Sequence, residues 1–146
     1  MKDSFFRKKE FLFAGIALLV IILDQFSKYL VEIFQPNFDF KILSIEFVKN
    51  TGMGFGLLPG KTIWLAIISL IVALGIILNY RKIPENKIPQ VLFAIFLGGT
   101  IGNLIDRAFR SYVVDFINFK VWPAFNLADA CLTVSVIGIV IWYWKK

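Results

Sequence analysis

The sequence predicts an all-α integral membrane protein of four transmembrane helices with a small extracytoplasmic β-element, and three observations carry that prediction. Of 146 residues, 58% are hydrophobic and the mean hydropathy is positive, well above the apolar share of a soluble domain, about 45–50%. Apolar stretches long enough to cross a bilayer occur four times, separated by polar or aromatic segments. The net charge of +6 sits mostly in short segments flanking those stretches. There it reads as a topology signal directed at anionic lipid headgroups, not at nucleic acid.

Residues 1 to 10 are polar and basic and lead into the apolar run FLFAGIALLVIIL. The pattern imitates a secretory signal, but no small-x-small cleavage site follows and helical character continues through DQFSKYLVEIF, so residues 11 to 34 read as a retained first span. At 1.5 Å per residue it covers roughly 36 Å, enough to cross a hydrocarbon core of about 30 Å with some tilt.

Residues 35 to 61 break the helical pattern with Pro36, Asn37, Gly52, Pro59 and Gly60. Phe38, Phe40 and Ile42 alternate with polar residues, and Ile45 and Phe47 resume the alternation after a one-residue slip, which predicts a strand with a bulge. A turn at Lys49 to Gly52 would return the chain as a second strand or an irregular segment. Its aromatic content suggests that it lies against the membrane surface. Residues 62 to 80 form an uncharged second span, about 90 to 109 a third and about 127 to 144 a fourth. Without internal repeats or low-complexity tracts, residues 1 to 146 read as a single domain.

Orientation follows from loop charge. Lys2, Arg7, Lys8 and Lys9, then Arg81, Lys82 and Lys87, then Lys145 and Lys146 place nine basic residues on one side. Lys41, Lys49, Lys61, Arg110 and Lys120 are spread over far more sequence on the other. The positive-inside rule puts both termini in the cytoplasm and the two aromatic segments outside.

Depth can then be assigned to the polar residues. Asp24 lies roughly 21 Å along its helix, in the outer third of the bilayer, and Lys28 one turn further on is its natural partner. Asn103 and Arg107 are four apart on the third span at a similar depth, Asn126 and Asp129 open the fourth, and Asn50 and Asp115 lie in the adjoining external segments. The inner two thirds of every span stay apolar. A transporter would carry polar groups at mid-depth or along a path across, so the pattern describes a site at the outer interface.

Several of these residues also have structural readings. Asn126 and Asp129 have the spacing of a helix-capping box; Asp24 and Lys28 could be a simple intrahelical pair; Arg107 could snorkel to headgroups, neutralised by Asp106. Gly98, Gly99 and Gly102 in GGTIGN mark close helix packing. The lone Cys131 reads as a small apolar helix residue. Asp115 resists such a reading, because YVVDFINFKVW alternates like a strand and puts this carboxylate on the face of Val113 and Ile117. Burying it costs several kcal/mol unless it is protonated or paired.

The chain has no histidine, which excludes Ser-His-Asp and Cys-His catalysis and an ordinary zinc site. Two carboxylates in a low-dielectric pocket cannot easily both ionise, so one keeps a proton while the other acts as a base. Such a pair can activate water against an amide and protonate the leaving nitrogen without metal or cofactor. Asn50, Asn103 or Asn126 could stabilise the oxyanion. From the residues alone, Asp115 and Asp129 read as the pair of a membrane-embedded aspartic hydrolase.

The motifs DQFSK at 24 to 28, KNTG at 49 to 52, GNLIDR at 102 to 107, VVDF at 113 to 116 and FNLAD at 125 to 129 together resemble those of bacterial lipoprotein signal peptidases, or signal peptidase II. The resemblance runs over nearly the whole chain in the family's order. It implies an aspartic endopeptidase of the bacterial cytoplasmic (inner) membrane that removes the signal peptide of diacylglyceryl-modified prolipoproteins, cutting before the lipidated cysteine. It implies Asp115 and Asp129 as the catalytic pair, with Asp24, Lys28, Asn50, Gly52, Asn103, Arg107 and Asn126 binding substrate or supporting the site. It further implies an external β-cradle, a small helical flap within residues 35 to 61, no metal or cofactor, and inhibition by globomycin-type lipopeptides. Met53 and Gly54 depart from the small residues usual after KNTG. The expected partners are the prolipoprotein and membrane lipids, with no nucleic acid, and the chain is expected to be a monomer. The alternative class is a small membrane transporter using the same carboxylates as an ion relay; a structural adaptor would leave the buried Asp115 unexplained.

Overall fold

The computed structural model describes residues 2–52 and 57–146. Their order is α1 (Lys2–Phe34), β1 (Asn37–Asp39), β2 (Leu43–Asn50), α2 (Thr62–Leu78), a 3-10 turn (Tyr80–Lys82), α3 (Lys87–Phe109), β3 (Val113–Phe119) and α4 (Leu127–Trp144). Among the described residues, Lys9–Phe34, Lys87–Phe109 and Leu127–Trp144 are long and apolar enough to cross a membrane. Thr62–Leu78 is a shorter apolar helix of 17 residues. Large side chains such as Phe11, Leu19, Ile71 and Val140 point outward from these helices, a surface suited to hydrocarbon and not to water.

α3 is the central element and packs on α1, α2 and α4. The glycines of GGTIGN make this possible. A Cβ on Gly98 would lie 2.7 Å from Val20 Cβ, one on Gly99 would lie 2.8 Å from the Ala128 carbonyl, and one on Gly102 would lie 2.5 Å from Asp24 Oδ2. Gly98 and Gly102 thus face α1 while Gly99 faces α4, as expected where helix association relies on close backbone approach.

The helix bounds differ in detail from expectation. α1 begins at Lys2 instead of residue 11, since nothing in the basic segment interrupts it. α2 ends at Leu78, where Asn79 closes the helix and the chain tightens into the 3-10 turn. α3 starts at Lys87; Pro89 falls in its first turn, where a missing N–H leaves no helical bond unmade.

The external segment required a larger correction. The single bulged strand expected over Phe38 to Phe47 is an antiparallel hairpin, with Phe38 opposite Ile45 and the Phe40 N–H donating to the Leu43 carbonyl at 2.8 Å. Alternation cannot distinguish one bent strand from two paired ones; pairing wins because it satisfies backbone groups that a lone strand leaves open. Beyond Gly52 the described residues 57 to 61 are irregular, the second of the two forms expected there, and form no strand. β2 instead pairs antiparallel with β3, giving the order β1-β2-β3, with a register shift between Ile45 and Val48. No helical flap occurs among the described residues of 35 to 61, and Met53 and Gly54 lie outside the described residues.

Candidate active site

Asp129 is placed by the cap of its own helix. The Asn126 Oδ1 accepts the Asp129 N–H at 2.9 Å and Asp129 Oδ2 accepts the Asn126 N–H at 3.3 Å, completing the capping box. The other oxygen of Asp129 accepts from Asn103 Nδ2 at 2.7 Å. Asp129 is half-buried and lines a cavity of about 470 Å³ with Asn50, Arg107, Trp122, Phe125 and Val134.

Asp115 lies on β3, with 1% of its surface exposed. Its Oδ1 accepts from Asn126 Nδ2 at 2.7 Å and its Oδ2 from Asn50 Nδ2 at 2.8 Å. Asn50 is in turn oriented by the Gly52 N–H, which donates to its Oδ1 at 2.9 Å. Burial pushes the Asp115 carboxyl up to about 7, the negative charge of Asp129 adds to this, and the bonds from Asn50 and Asn126 oppose it. Asp115 therefore senses the charge of Asp129 and both are bonded to Asn126, one of them sealed and the other open to a largely apolar cavity.

Behind them lies a second polar cluster. Lys28 Nζ is 2.8 Å from Asp24 Oδ2, 3.0 Å from Asp106 Oδ2 and 3.0 Å from Asn103 Oδ1. None of Lys28, Asp24 and Asp106 is exposed to any extent. The Asp24 to Lys28 pair is thus present, but joined by a carboxylate that the sequence reading assigned elsewhere. Among the described residues Asp106 makes no ion pair with Arg107, although its charge still acts on that guanidinium. Consecutive helical residues point about 100° apart, so Asp106 turns to Lys28 and to Arg110, which donates to it at 2.6 Å, while Arg107 faces the cavity within electrostatic reach of Asp129 and Asp115.

Gln25, Glu32, Arg110 and Tyr112 were missed. Arg110 bonds Gln25 Oε1 at 3.1 Å and Glu32 at 3.2 Å, and the Tyr112 hydroxyl donates to Glu32 at 2.7 Å, which raises the Tyr112 pKa. A signal existed in the helical spacing, since Asn103, Asp106 and Arg110 recur at three and four residues along one face.

Helices of spanning length around a sealed carboxylate and an adjoining apolar cavity define a membrane-embedded protein with the makings of a hydrolytic site. The family model described as Signal peptidase (SPase) II matches residues 16–145, and the chain belongs to that family of membrane proteases. Among its relatives, the lipoprotein signal peptidase of Moorella thermoacetica is 40% identical over 139 residues, covering 91% of each chain. That of Caldanaerobacter subterraneus subsp. tengcongensis is 41% identical, covering 84% of this chain and 88% of its own. A solved bacterial membrane enzyme superposes with a TM-score of 0.84 at 32% identity, covering 92% of this chain and 88% of that one.

Proposed function

We propose that this protein is an aspartic endopeptidase that removes the signal peptide from diacylglyceryl-modified prolipoproteins, cutting before the lipidated cysteine. The observation that carries the reading is the pairing of Asp115 and Asp129 through Asn126, one carboxylate buried and the other open to the cavity. Asp115 keeps a proton more readily than an ordinary carboxyl, so the pair holds one proton between them. The ionised member draws a proton from water as it attacks the scissile carbonyl, and the proton held by the pair passes to the leaving nitrogen. Asn50 and Arg107, which line the cavity, are placed to meet the oxyanion or the peptide backbone. No metal or cofactor enters these steps.

The apolar walls suit a signal-peptide helix and a diacylglyceryl chain entering sideways from the bilayer. In this reading α2 is a fourth span. Its 17 residues extend about 26 Å at 1.5 Å per residue, slightly short of a hydrocarbon core of about 30 Å, and its outward Ile63, Trp64 and Ile71 face lipid. The loop charges put both termini in the cytoplasm and the site at the outer face. The chain works as a monomer in contact with membrane lipids, as a single peptidase domain, and binds globomycin in place of substrate.

The test is cleavage of a lipidated prolipoprotein by purified protein beside Asp115→Asn and Asp129→Asn. Both folded variants are expected to lose turnover; near-normal activity in either one overturns the pair.

A further inference from the structure

We propose that Lys28 is the positioning residue that sets the separation of Asp115 and Asp129. The inference rests on the reading of those two residues as the catalytic pair. An ammonium has three donors, and those of Lys28 go to Asp24, Asp106 and Asn103. Each of these three acceptors in turn holds a group beside one catalytic aspartate. Asp24 Oδ1 accepts the N–H of Ala128, the residue before Asp129, at 2.9 Å. Asp106 Oδ2 accepts the N–H of Val114, the residue before Asp115, at 3.1 Å. Asn103, with its oxygen committed to Lys28 and to Asn126 Nδ2 at 3.1 Å, has its Nδ2 left to donate to Asp129.

One side chain on α1 therefore ties together α3, the start of β3 and the first turn of α4. The arrangement suits lysine, a compact charge with rotatable donors, better than the flat fork of arginine. The cluster sets two cations, Lys28 and Arg110, against three carboxylates, Asp24, Asp106 and Glu32. It also leaves no room for adjustment, since a Cβ on Gly102 would meet Asp24 Oδ2 at 2.5 Å. The remaining electrostatic contact is with the pair itself, because the positive charge of Lys28 favours ionised Asp115.

The experiment compares wild type, Lys28→Met, Asp106→Asn and Asp106→Ala with Asp115→Asn and Asp129→Asn, all purified in detergent and assayed on a synthetic lipidated prolipoprotein across pH. Misplacement of reacting groups by an ångström costs about 100-fold, so Lys28→Met and Asp106→Ala are expected to lose about that much in kcat with KM little changed. Asp106→Asn keeps an oxygen for the Val114 N–H and is expected to recover part of the loss. Lys28→Met is also expected to move the alkaline limb of the rate profile to higher pH. A cluster that served stability alone would lower the Tm but leave kcat and the limb of the folded protein unmoved, and that result overturns the proposal. If Lys28→Met does not fold, the order of Asp106→Asn above Asp106→Ala in kcat decides in the same way. Retained turnover in Asp115→Asn or Asp129→Asn would instead sink the underlying pair, so the two failures are distinct.

Discussion

The side chain of Asn126 donates to Asp115 at 2.7 Å from the same position in which it caps the helix that carries Asp129. A residue that would serve most helices only as a cap is here bonded to both carboxylates.

Those two roles separate by substitution. Asn126→Ala loses the cap, worth about 1 kcal/mol, and the donor to Asp115. Asn126→Ser restores the cap but is too short to replace the donor. Thermal unfolding should therefore recover toward wild type in the serine variant while turnover stays low; recovery of turnover together with Tm would mean that the bond to Asp115 is dispensable.

The raised pKa of Asp115 makes stability depend on pH. Its folded value is about 7 against an ordinary 3.8, so the unfolded chain releases this proton first. The associated stability is fully present below about pH 4, falls as pH rises through about 7, and levels off above, with a total change on the order of 4 kcal/mol. Asp115→Asn should flatten that slope in detergent unfolding curves.

In the proposed mechanism the proton on Asp115 governs rate, and kcat/KM should decline on the alkaline side around pH 7. Asp129→Asn removes a neighbouring negative charge and should lower the Asp115 pKa only in part, because burial is the larger cause. Titration of Asp115 in that variant by NMR checks the sign.

Gly52 has no room for a side chain, since a Cβ there would lie 2.5 Å from the Leu57 carbonyl oxygen. Gly52→Ala should displace the N–H that orients Asn50 and reduce turnover by about 10- to 100-fold, because the Asn50 amide so oriented donates to Asp115. Gly138→Ala meets the flexible end of Leu92 instead and should retain activity. Equal losses in the two variants would argue against the Asn50 link.

Inhibition checks the assignment from the substrate side. Saturating globomycin should abolish cleavage, and a chelator should leave the rate unchanged. Full activity in the presence of globomycin would count against the proposed substrate class.

Much of this molecule follows from local pattern. Apolar run length marks the helices of α1, α3 and α4, because spanning requires a length that a sequence displays directly. The capping box at Asn126 and Asp129 and the pair of Asp24 with Lys28 are legible for the same reason, being three- and four-residue relationships within one helix. Helix ends shifted by two or three residues near Pro89 and Asn79, and by nine at the start of α1, which runs back to Lys2. The hairpin of β1 and β2 was not legible, since an alternating stretch is compatible with either one strand or two.

The sequence by itself determined which residues are costly to bury and therefore need partners: Asp24, Lys28, Asn103, Asp115 and Asn126 were all singled out from residue type and depth. Only the tertiary structure decided who those partners are. That Asp106 turns from its neighbour Arg107 to Lys28, 78 positions away, and that β3 supplies the partner strand of β2, depend on helix rotation and on α3 lying between α1 and α4. These are long-range packing outcomes set by the close approach at Gly98, Gly99 and Gly102. No local spacing encodes them, because the contacts exist only once the helices have met.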